Sequence, residues 1–225
     1  DLPNIDNVAI PLLPKERIRL TAGSTTSFDA GRGCPFTCSF CTIINVQGQK
    51  SRQRSIESIE NIIRENVKQG LSSFFISDDD FARNKNWEGI LDKFIELREV
   101  HKLKISFTIQ VDTLCHTLPG FIEKSGRAGV KRAFIGLENI NPDSLLGASK
   151  RQNKITDYRT MLLAWKKVGV ITCCGYILGF PKDTQKSILR DIEIIKKELP
   201  VDLLEFFYLT PFPGSEDHKK LHVAG

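Results

Sequence analysis

Short runs rich in phenylalanine, isoleucine and valine alternate with longer amphipathic segments along most of the chain. Apolar residues occupy successive positions in these runs, which is typical of parallel strands that are covered on both faces. The pattern predicts six strands, over residues 27–33, 72–77, 104–110, 131–137, 170–178 and 202–209.

Five amphipathic segments between the strands carry the signals of helix ends. Each begins at a residue whose side chain suits a helix N-terminus, namely Ser55, Asn86, Asn141, Thr156 and Thr184. Residues that end helices close three of the five segments, at Gly70, Gly169 and Pro200. The sequence therefore predicts a helix after most of the strands.

A regular alternation of strand and helix implies right-handed crossovers between parallel strands. Two architectures fit this alternation, an open doubly wound sheet or a barrel of the (β/α) type, and six units are too few for a closed eight-stranded barrel. Residues 1–26 show little periodicity and are predicted to be a linker. We expect residues 27–212 to form the main domain and residues 213–225 to begin a further, truncated segment.

Composition excludes several classes of protein. The 225 residues are 40% hydrophobic and 26% charged, which fits a globular chain with a core and not a disordered one. The longest stretch without a charged residue, 168–181, is shorter than the roughly 18 residues that a membrane span needs. No secretory leader opens the chain and its single methionine is Met161, so we expect a cytoplasmic protein of which this is a fragment.

Net charge gives only a weak indication of partners. The 32 basic residues against 27 acidic ones leave a charge of +5, and the basic clusters at 50–54 and 150–154 lack interleaved aromatic residues. The sequence therefore gives no strong indication of nucleic-acid binding.

Three of the six cysteines, Cys34, Cys38 and Cys41, lie within eight residues directly after the first predicted strand. The spacing C-x3-C-x2-C suits an iron–sulfur cluster, whereas structural zinc usually takes four ligands in two separated pairs. The other three cysteines are remote in sequence and are predicted to be small core residues: Cys115, Cys173 and Cys174. Three thiolates leave one iron of a four-iron cluster open, which is typical of a catalytic site.

Polar and glycine-rich motifs follow the strands, at the edge where parallel α/β folds place their sites. After strands two, four, five and six the chain reads Asp78-Asp79-Asp80-Phe81, Gly136-Leu-Glu138-Asn139, Gly175-Tyr-Ile177-Leu-Gly179-Phe-Pro181-Lys-Asp183-Thr184 and Leu209-Thr-Pro211-Phe-Pro213-Gly214-Ser215. Gln110 ends the third strand and Asp112 follows it. Such repeated placement predicts one shared site.

These motifs, and the cysteine loop with Phe40 before its last cysteine, resemble the radical S-adenosylmethionine (SAM) superfamily. The resemblance covers residues from about 27 to 213 and is nearest to the branch in which a cobalamin-binding domain precedes the radical domain. Asp183 stands where glutamate is usual in that branch, and this piece contains no cobalamin domain. A requirement for cobalamin therefore follows from kinship alone.

The resemblance implies a partial (β/α)6, TIM-like barrel of parallel strands. It also implies a [4Fe–4S] cluster on Cys34, Cys38 and Cys41, with SAM bound at the open iron. Reductive cleavage of SAM would give a 5′-deoxyadenosyl radical, supplied with its electron by a reductant protein such as flavodoxin or ferredoxin. The resemblance does not name the substrate.

Cofactor contacts are expected at the residues Phe40, Asp78, Asp79, Gln110, Glu138, Gly175, Ile177 and Gly179. Several of these residues have an alternative role: Phe40 could pack in the core, the aspartates could be a charge cluster at a helix N-terminus, Glu138 could form a structural ion pair, and the glycines could mark bulges. The methionine carboxylate of SAM would meet one of three basic residues, Arg132, Lys150 or Arg151.

Three functions remain open from the sequence. The first is a radical SAM enzyme, working with cobalamin on methyl transfer or a rearrangement. The second is a tRNA methylthiotransferase, which shares the barrel and cysteine loop and needs a second cluster-binding domain upstream. The third is a non-enzymatic iron–sulfur electron carrier, which leaves the strand-end motifs unexplained.

Overall fold

The computed structural model describes residues 4–9, 12, 15–18, 20 and 25–224 of the chain. Its strands are Thr25–Phe28 (β1), Gly31–Arg32 (β2), Arg52–Gln53 (β3), Ser73–Ile76 (β4), Ser106–Val111 (β5), Val130–Glu138 (β6), Ile171–Leu178 (β7) and Leu203–Tyr208 (β8). Its helices are Lys15–Ile18 (α1), Ile43–Val46 (α2), Ile56–Lys68 (α3), Trp87–Glu99 (α4), Phe121–Ala128 (α5), Pro142–Gly147 (α6), Tyr158–Lys167 (α7), Gln185–Glu198 (α8) and Glu216–Ala224 (α9).

Six parallel strands form one sheet in the order β1-β4-β5-β6-β7-β8, which is also their order along the chain. A doubly wound sheet reverses its strand order at a switch point, and this sheet has no reversal. The partial (β/α)6 barrel predicted from the sequence is therefore confirmed. All six strands direct their carboxyl ends to one edge.

The first predicted strand, residues 27–33, is wrong in its extent. The parallel strand β1 ends at Phe28, and β2 leaves the sheet to pair antiparallel with β3. The backbone N–H groups of Ala30 and Gly31 donate to the buried Asp78 carboxylate, at 2.7 and 2.8 Å, instead of continuing the ladder. The turn between β1 and β2 thus depends on a side chain 47 residues away.

Most helix starts follow the predicted chemistry. Ser55 and Asn141 accept hydrogen bonds from backbone N–H groups of the first turn, and Thr184 forms a reciprocal capping box with Ser187. Asn86 precedes α4 as predicted, but its side chain caps nothing; Asn84 instead accepts from the N–H of Asn86.

Helix α7 begins two residues after the predicted start, because Thr156 lies in a 3-10 turn over Ile155–Asp157. Helices α1, α2, α5 and α9 were not predicted. Parts of the predicted linker, residues 1–3, 10–11, 13–14, 19 and 21–24, lie outside the described residues.

The main core lies between the sheet and its helices. Phe94 of α4 stacks on Phe107 of β5 with ring centroids 4.1 Å apart, and Phe107 in turn stacks on Phe74 of β4. Trp165 of α7 is fully buried in the same core. This packing holds the helices against one face of the sheet and leaves the other face for the site. In the described part of the chain, no helix is both long and apolar enough to cross a membrane.

Candidate functional site

The three clustered cysteines line one cavity of about 180 Å³ at the carboxyl edge of the sheet. Backbone bonds fix their loop: the Cys34 N–H donates to the Gly48 carbonyl and the Cys41 N–H to the Cys38 carbonyl. Gly33, with φ of +102°, starts the loop, and a Cβ there would lie 2.8 Å from the Lys50 carbonyl oxygen. The loop therefore needs glycine at this position.

Burial raises the pKa of the Cys34 thiol to about 12 and also raises the pKa of Cys41. A thiolate here needs a positive charge beside it, and a metal centre supplies that charge. No group of three His, Cys, Asp or Glu side chains among the described residues is arranged to hold a single metal ion. The three thiols that line the cavity suit a cluster, in which each thiolate binds its own iron.

A buried ion pair forms one wall of the cysteine cavity. The Nζ of Lys150 lies 2.5 Å from Oε1 of Glu138, and both side chains are about nine-tenths buried. Burial alone would lower the pKa of Lys150, but the negative charges around it, with Glu138 first among them, together raise the pKa. The pair lies directly over Gly136, where a Cβ would be 2.6 Å from Glu138 Oε1. Glycine at position 136 therefore makes room for the pair.

Backbone strain occurs at Glu138 and at Ser149, the residue before Lys150. Glu138 has φ of +62° and Ser149, which precedes Lys150, has φ of +55°. Non-glycine residues rarely adopt this left-handed conformation, and where they do the strain is often associated with function. The register of β6 against β7 also shifts between Gly136 and Glu138. These distortions bring Glu138 and Lys150 to the same wall of the cavity.

A second, larger cavity of about 480 Å³ opens beside the first and shares Phe40, Phe134 and Glu138 with it. Gly175 and Ile177 of β7 line this larger cavity together with Phe207 of β8. A Cβ at Gly175 would lie 3.0 Å from the Phe134 ring, so a larger side chain at this position would crowd Phe134 and reduce the space in the cavity. The Lys150 ammonium lies 5.7 Å from the centre of the Phe40 ring, a cation–π contact that joins the two cavities.

The three consecutive aspartates after β4 have different surroundings. Asp78 is 2% exposed and accepts hydrogen bonds from the Ala30 and Gly31 N–H groups and the Asn84 amide, and neither cavity is lined by it. Asp79 is half-buried, accepts from the Gly33 N–H at 2.8 Å, and lines the cysteine cavity. Of the two predicted contacts, Asp79 faces the cavity and Asp78 holds the loop in place.

We expect Asp78→Asn to destabilise the full-length protein by about 1–3 kcal/mol, because an amide nitrogen would replace an acceptor oxygen beside a donor. Burial raises the pKa of Asp78 to about 7 in the folded protein. Between roughly pH 4 and pH 7 the folded state therefore binds one more proton than the unfolded state does. The parent therefore loses stability as pH rises through that window, and its advantage over the variant narrows. Urea unfolding at several pH values measures both effects, with the exposed Asp143→Asn as control. If Asp78→Asn were as stable as Asp143→Asn, Asp78 would not hold the loop as described.

Two further aspartates, both buried, line the cysteine cavity. Asp80 and Asp112 both line it, and the Asp112 N–H donates to Asp80 Oδ1 at 3.3 Å. Burial, and then the Asp112 charge, raise the pKa of Asp80 well above its usual range. Arg83 binds Asp112 through Nε at 2.5 Å and a terminal nitrogen at 2.9 Å. Arg83 therefore pairs with Asp112, while the raised pKa belongs to the neighbouring carboxyl of Asp80.

The remaining predicted positions divide between the site and the rest of the fold. Gln110 lines the cysteine cavity and donates to the Asp78 carbonyl at 3.2 Å. Gly179, with φ of +96°, lies in the loop after β7 and lines a separate cavity. The carboxylate of Asp183 closes that loop by accepting from the N–H groups of Gly179 and Phe180. The shorter aspartate thus still fastens the loop.

Of the basic candidates, only Lys150 lines the cysteine cavity. Arg132 is exposed near the amino end of β6, away from the site edge, and Arg151 is exposed beside Lys150. Cys115 and Cys174 are buried in the main core, as predicted for small core residues. Cys173 is also buried and lines neither of the two cavities.

Sequence reasoning missed Gln152, whose amide nitrogen lies 3.5 Å from the Cys38 sulfur. It also missed Phe134, which lines both cavities. The signal for Phe134 was available, because it alternates with Gly136 and Glu138 on one face of a predicted strand. No spacing in the sequence indicates that Gln152 meets a cysteine 114 residues away.

The fold is a partial barrel of parallel strands, with three thiols gathered at its carboxyl edge beside an aromatic cavity. This combination is typical of a cluster-binding α/β protein. The chain belongs to the Radical SAM superfamily, whose family description matches residues 29–195. Membership implies a [4Fe–4S] cluster and SAM as cofactors.

Two curated relatives are methyltransferases by name. The chain is 30% identical over 193 residues to bacteriochlorophyllide d C-12(1)-methyltransferase of Chlorobaculum tepidum, covering 83% of this chain and 40% of the relative. It is 29% identical over 227 residues to an uncharacterized methyltransferase of Pyrococcus horikoshii, covering 95% of this chain and 46% of that relative. The chain thus spans less than half the length of these relatives.

Solved structures share the fold. The methyltransferase TsrM from Kitasatospora setae, solved with cobalamin and a [4Fe–4S] cluster bound, superposes with a TM-score of 0.79 at 17% identity, over 89% of this chain and 37% of TsrM. The cobalamin-dependent SAM radical enzyme OxsB, with aqua-cobalamin bound, gives a TM-score of 0.69 at 14% identity, over 88% and 35% of the two chains.

Proposed function

We propose that the full-length protein is a radical SAM methyltransferase whose cluster is held by Cys34, Cys38 and Cys41. The observation that carries this proposal is the convergence of the three thiols on one cavity that shares a wall with an aromatic one. When bound, the cluster supplies the electron that cleaves the sulfonium bond of SAM, giving methionine and a 5′-deoxyadenosyl radical. The chain's own residues bind the reactants, orient them and exclude water.

In this proposal SAM occupies both cavities. Phe40, Gly175 and Ile177 supply the apolar surface for adenine, and Glu138 lies where it can accept from the ribose hydroxyls. Asp79 and Gln110, which line the cysteine cavity, face the methionine ammonium. Lys150 is the basic residue placed for the methionine carboxylate, and its partner Glu138 keeps it charged.

Methyl transfer with cobalamin is the form of the reaction that the relatives favour. The curated relatives are named methyltransferases, and two structural neighbours were solved with cobalamin. Cobalamin would be held by a region outside this sequence, and residues 27–212 would be the barrel domain between the linker 1–26 and the segment from 213. A flavodoxin- or ferredoxin-type reductant and a cytoplasmic location suit a protein whose six cysteines are all free.

The test uses the full-length protein, reconstituted anaerobically with iron and sulfide, with dithionite, cobalamin and SAM that carries a deuterated methyl group. Mass spectrometry should detect 5′-deoxyadenosine and a deuterated methyl on cobalamin, both absent from the Cys38→Ala variant. Formation of 5′-deoxyadenosine without labelled methylcobalamin would contradict methyl transfer and leave the methylthiotransferase alternative. A loaded cluster that yields neither product would favour the electron carrier.

A further inference from the structure

One hydrogen bond reaches a cluster-ligating sulfur from a residue outside the family motifs. Nε2 of Gln152 donates to Sγ of Cys38 at 3.5 Å, and both side chains are more than nine-tenths buried. The segment Ala148–Asn153, which carries Gln152, follows α6 and packs directly on the cysteine loop. The Ser39 N–H donates to the Ala148 carbonyl at 3.0 Å, so the two loops also meet through their backbones.

The backbone around Gln152 is fixed by its neighbours. Thr113 donates from Oγ1 to the Gln152 carbonyl at 3.5 Å and lies 3.2 Å from Asn153 Oδ1. The Asn153 amide donates to the carbonyls of Gly136 and Leu137 at 3.0 and 2.8 Å. Contacts to the Gln152 carbonyl and to the next residue, Asn153, therefore fix the backbone that carries the Gln152 side chain, which leaves its amide pre-organised toward Cys38.

A hydrogen-bond donor beside a cluster-bound thiolate changes the reduction potential of the cluster. Reduction adds negative charge to the cluster and its sulfurs, and a fixed N–H dipole stabilises the reduced form more than the oxidised form. Hydrogen bonds to the sulfurs are among the factors that set the reduction potentials of iron–sulfur proteins. Because Gln152 and Cys38 are both buried, the amide dipole is only weakly screened.

We propose that Gln152 is a positioning residue that holds Cys38 and raises the reduction potential of the cluster through its N–H···S hydrogen bond. This inference rests on the proposed function, because it takes Cys38 to be a cluster ligand. It assigns to the Ala148–Asn153 segment the task of matching the cluster's potential to its reductant.

The experiment compares the reconstituted full-length parent with Gln152→Met, Gln152→Glu and the exposed neighbour Arg151→Met as control. Methionine keeps the length of the side chain without the donor, and glutamate keeps its shape but places a negative charge by the sulfur. Redox titration followed by electron paramagnetic resonance gives the midpoint potential of each cluster. Iron analysis shows whether each variant is loaded.

At the parent's midpoint potential, we expect the ratio of reduced to oxidised cluster to fall about threefold or more in Gln152→Met. The fall should be larger still in Gln152→Glu, with Arg151→Met unchanged. Equal potentials in all four proteins would overturn the inference, as would failure of both Gln152 variants to load iron, which would show a purely structural role. A parent without a four-iron cluster would instead overturn the proposed function.

Discussion

Replacing Cys38 with alanine is expected to abolish stable cluster loading and to lower 5′-deoxyadenosine formation by more than about 100-fold. The three thiols line one cavity, and in the proposed cluster each thiolate would bind a different iron. Loss of one thiolate would therefore leave a second iron without a protein ligand. Alanine at position 34 or 41 should have the same effect. Iron and sulfide analysis with product quantification measures both losses.

Cys174→Ala is the matched control for this series. Cys174 is fully buried in the main core, away from the cavity, and its loss should cost about 1 kcal/mol of stability with full iron content. If Cys38→Ala kept full iron content and SAM cleavage, the cysteine loop would not be the cluster-binding site.

Removal of Lys150 should have the largest effect on stability. Lys150→Met leaves the Glu138 carboxylate buried without its partner, and breaking a buried pair in this way costs about 3–5 kcal/mol. Adding Glu138→Gln to that variant removes the unpaired charge, so the double variant should recover much of the lost stability. Urea unfolding of the parent, Lys150→Met, Glu138→Gln and the double variant gives the coupling free energy between the two residues.

Lys154→Met provides the comparison for loss of a nearby positive charge, because Lys154 is exposed two residues beyond the buried Gln152. Its expected cost is within about 0.5 kcal/mol. If Lys150→Met were no less stable than Lys154→Met, the ion pair would not hold the cavity wall as described.

Local patterns predicted the sheet well because its strands and helices are set by nearby residues. The apolar runs at 72–77 and 170–178 became β4 and β7, and the capping residues Ser55 and Thr184 begin α3 and α8. The cysteine spacing likewise indicated a cluster site, since all three proposed ligands lie in one loop. These features depend on interactions within a few residues.

Long-range contacts explain what the sequence did not predict. The first strand breaks after Phe28 because Asp78 takes the N–H groups of the following turn. Asp78 therefore binds backbone N–H groups, a role that its position in a run of three aspartates could not distinguish from cofactor binding. The contact of Gln152 with Cys38 joins segments that only the fold brings together.

We propose that Cys34, Cys38 and Cys41 hold a four-iron cluster at the carboxyl edge of the partial barrel. Metal and sulfide analysis of the anaerobically reconstituted full-length protein tests it most directly, with the Cys34, Cys38 and Cys41 triple alanine variant as the blank. We expect about four iron and four sulfide per chain above that blank. One tightly bound zinc per chain, with no iron taken up, would contradict it.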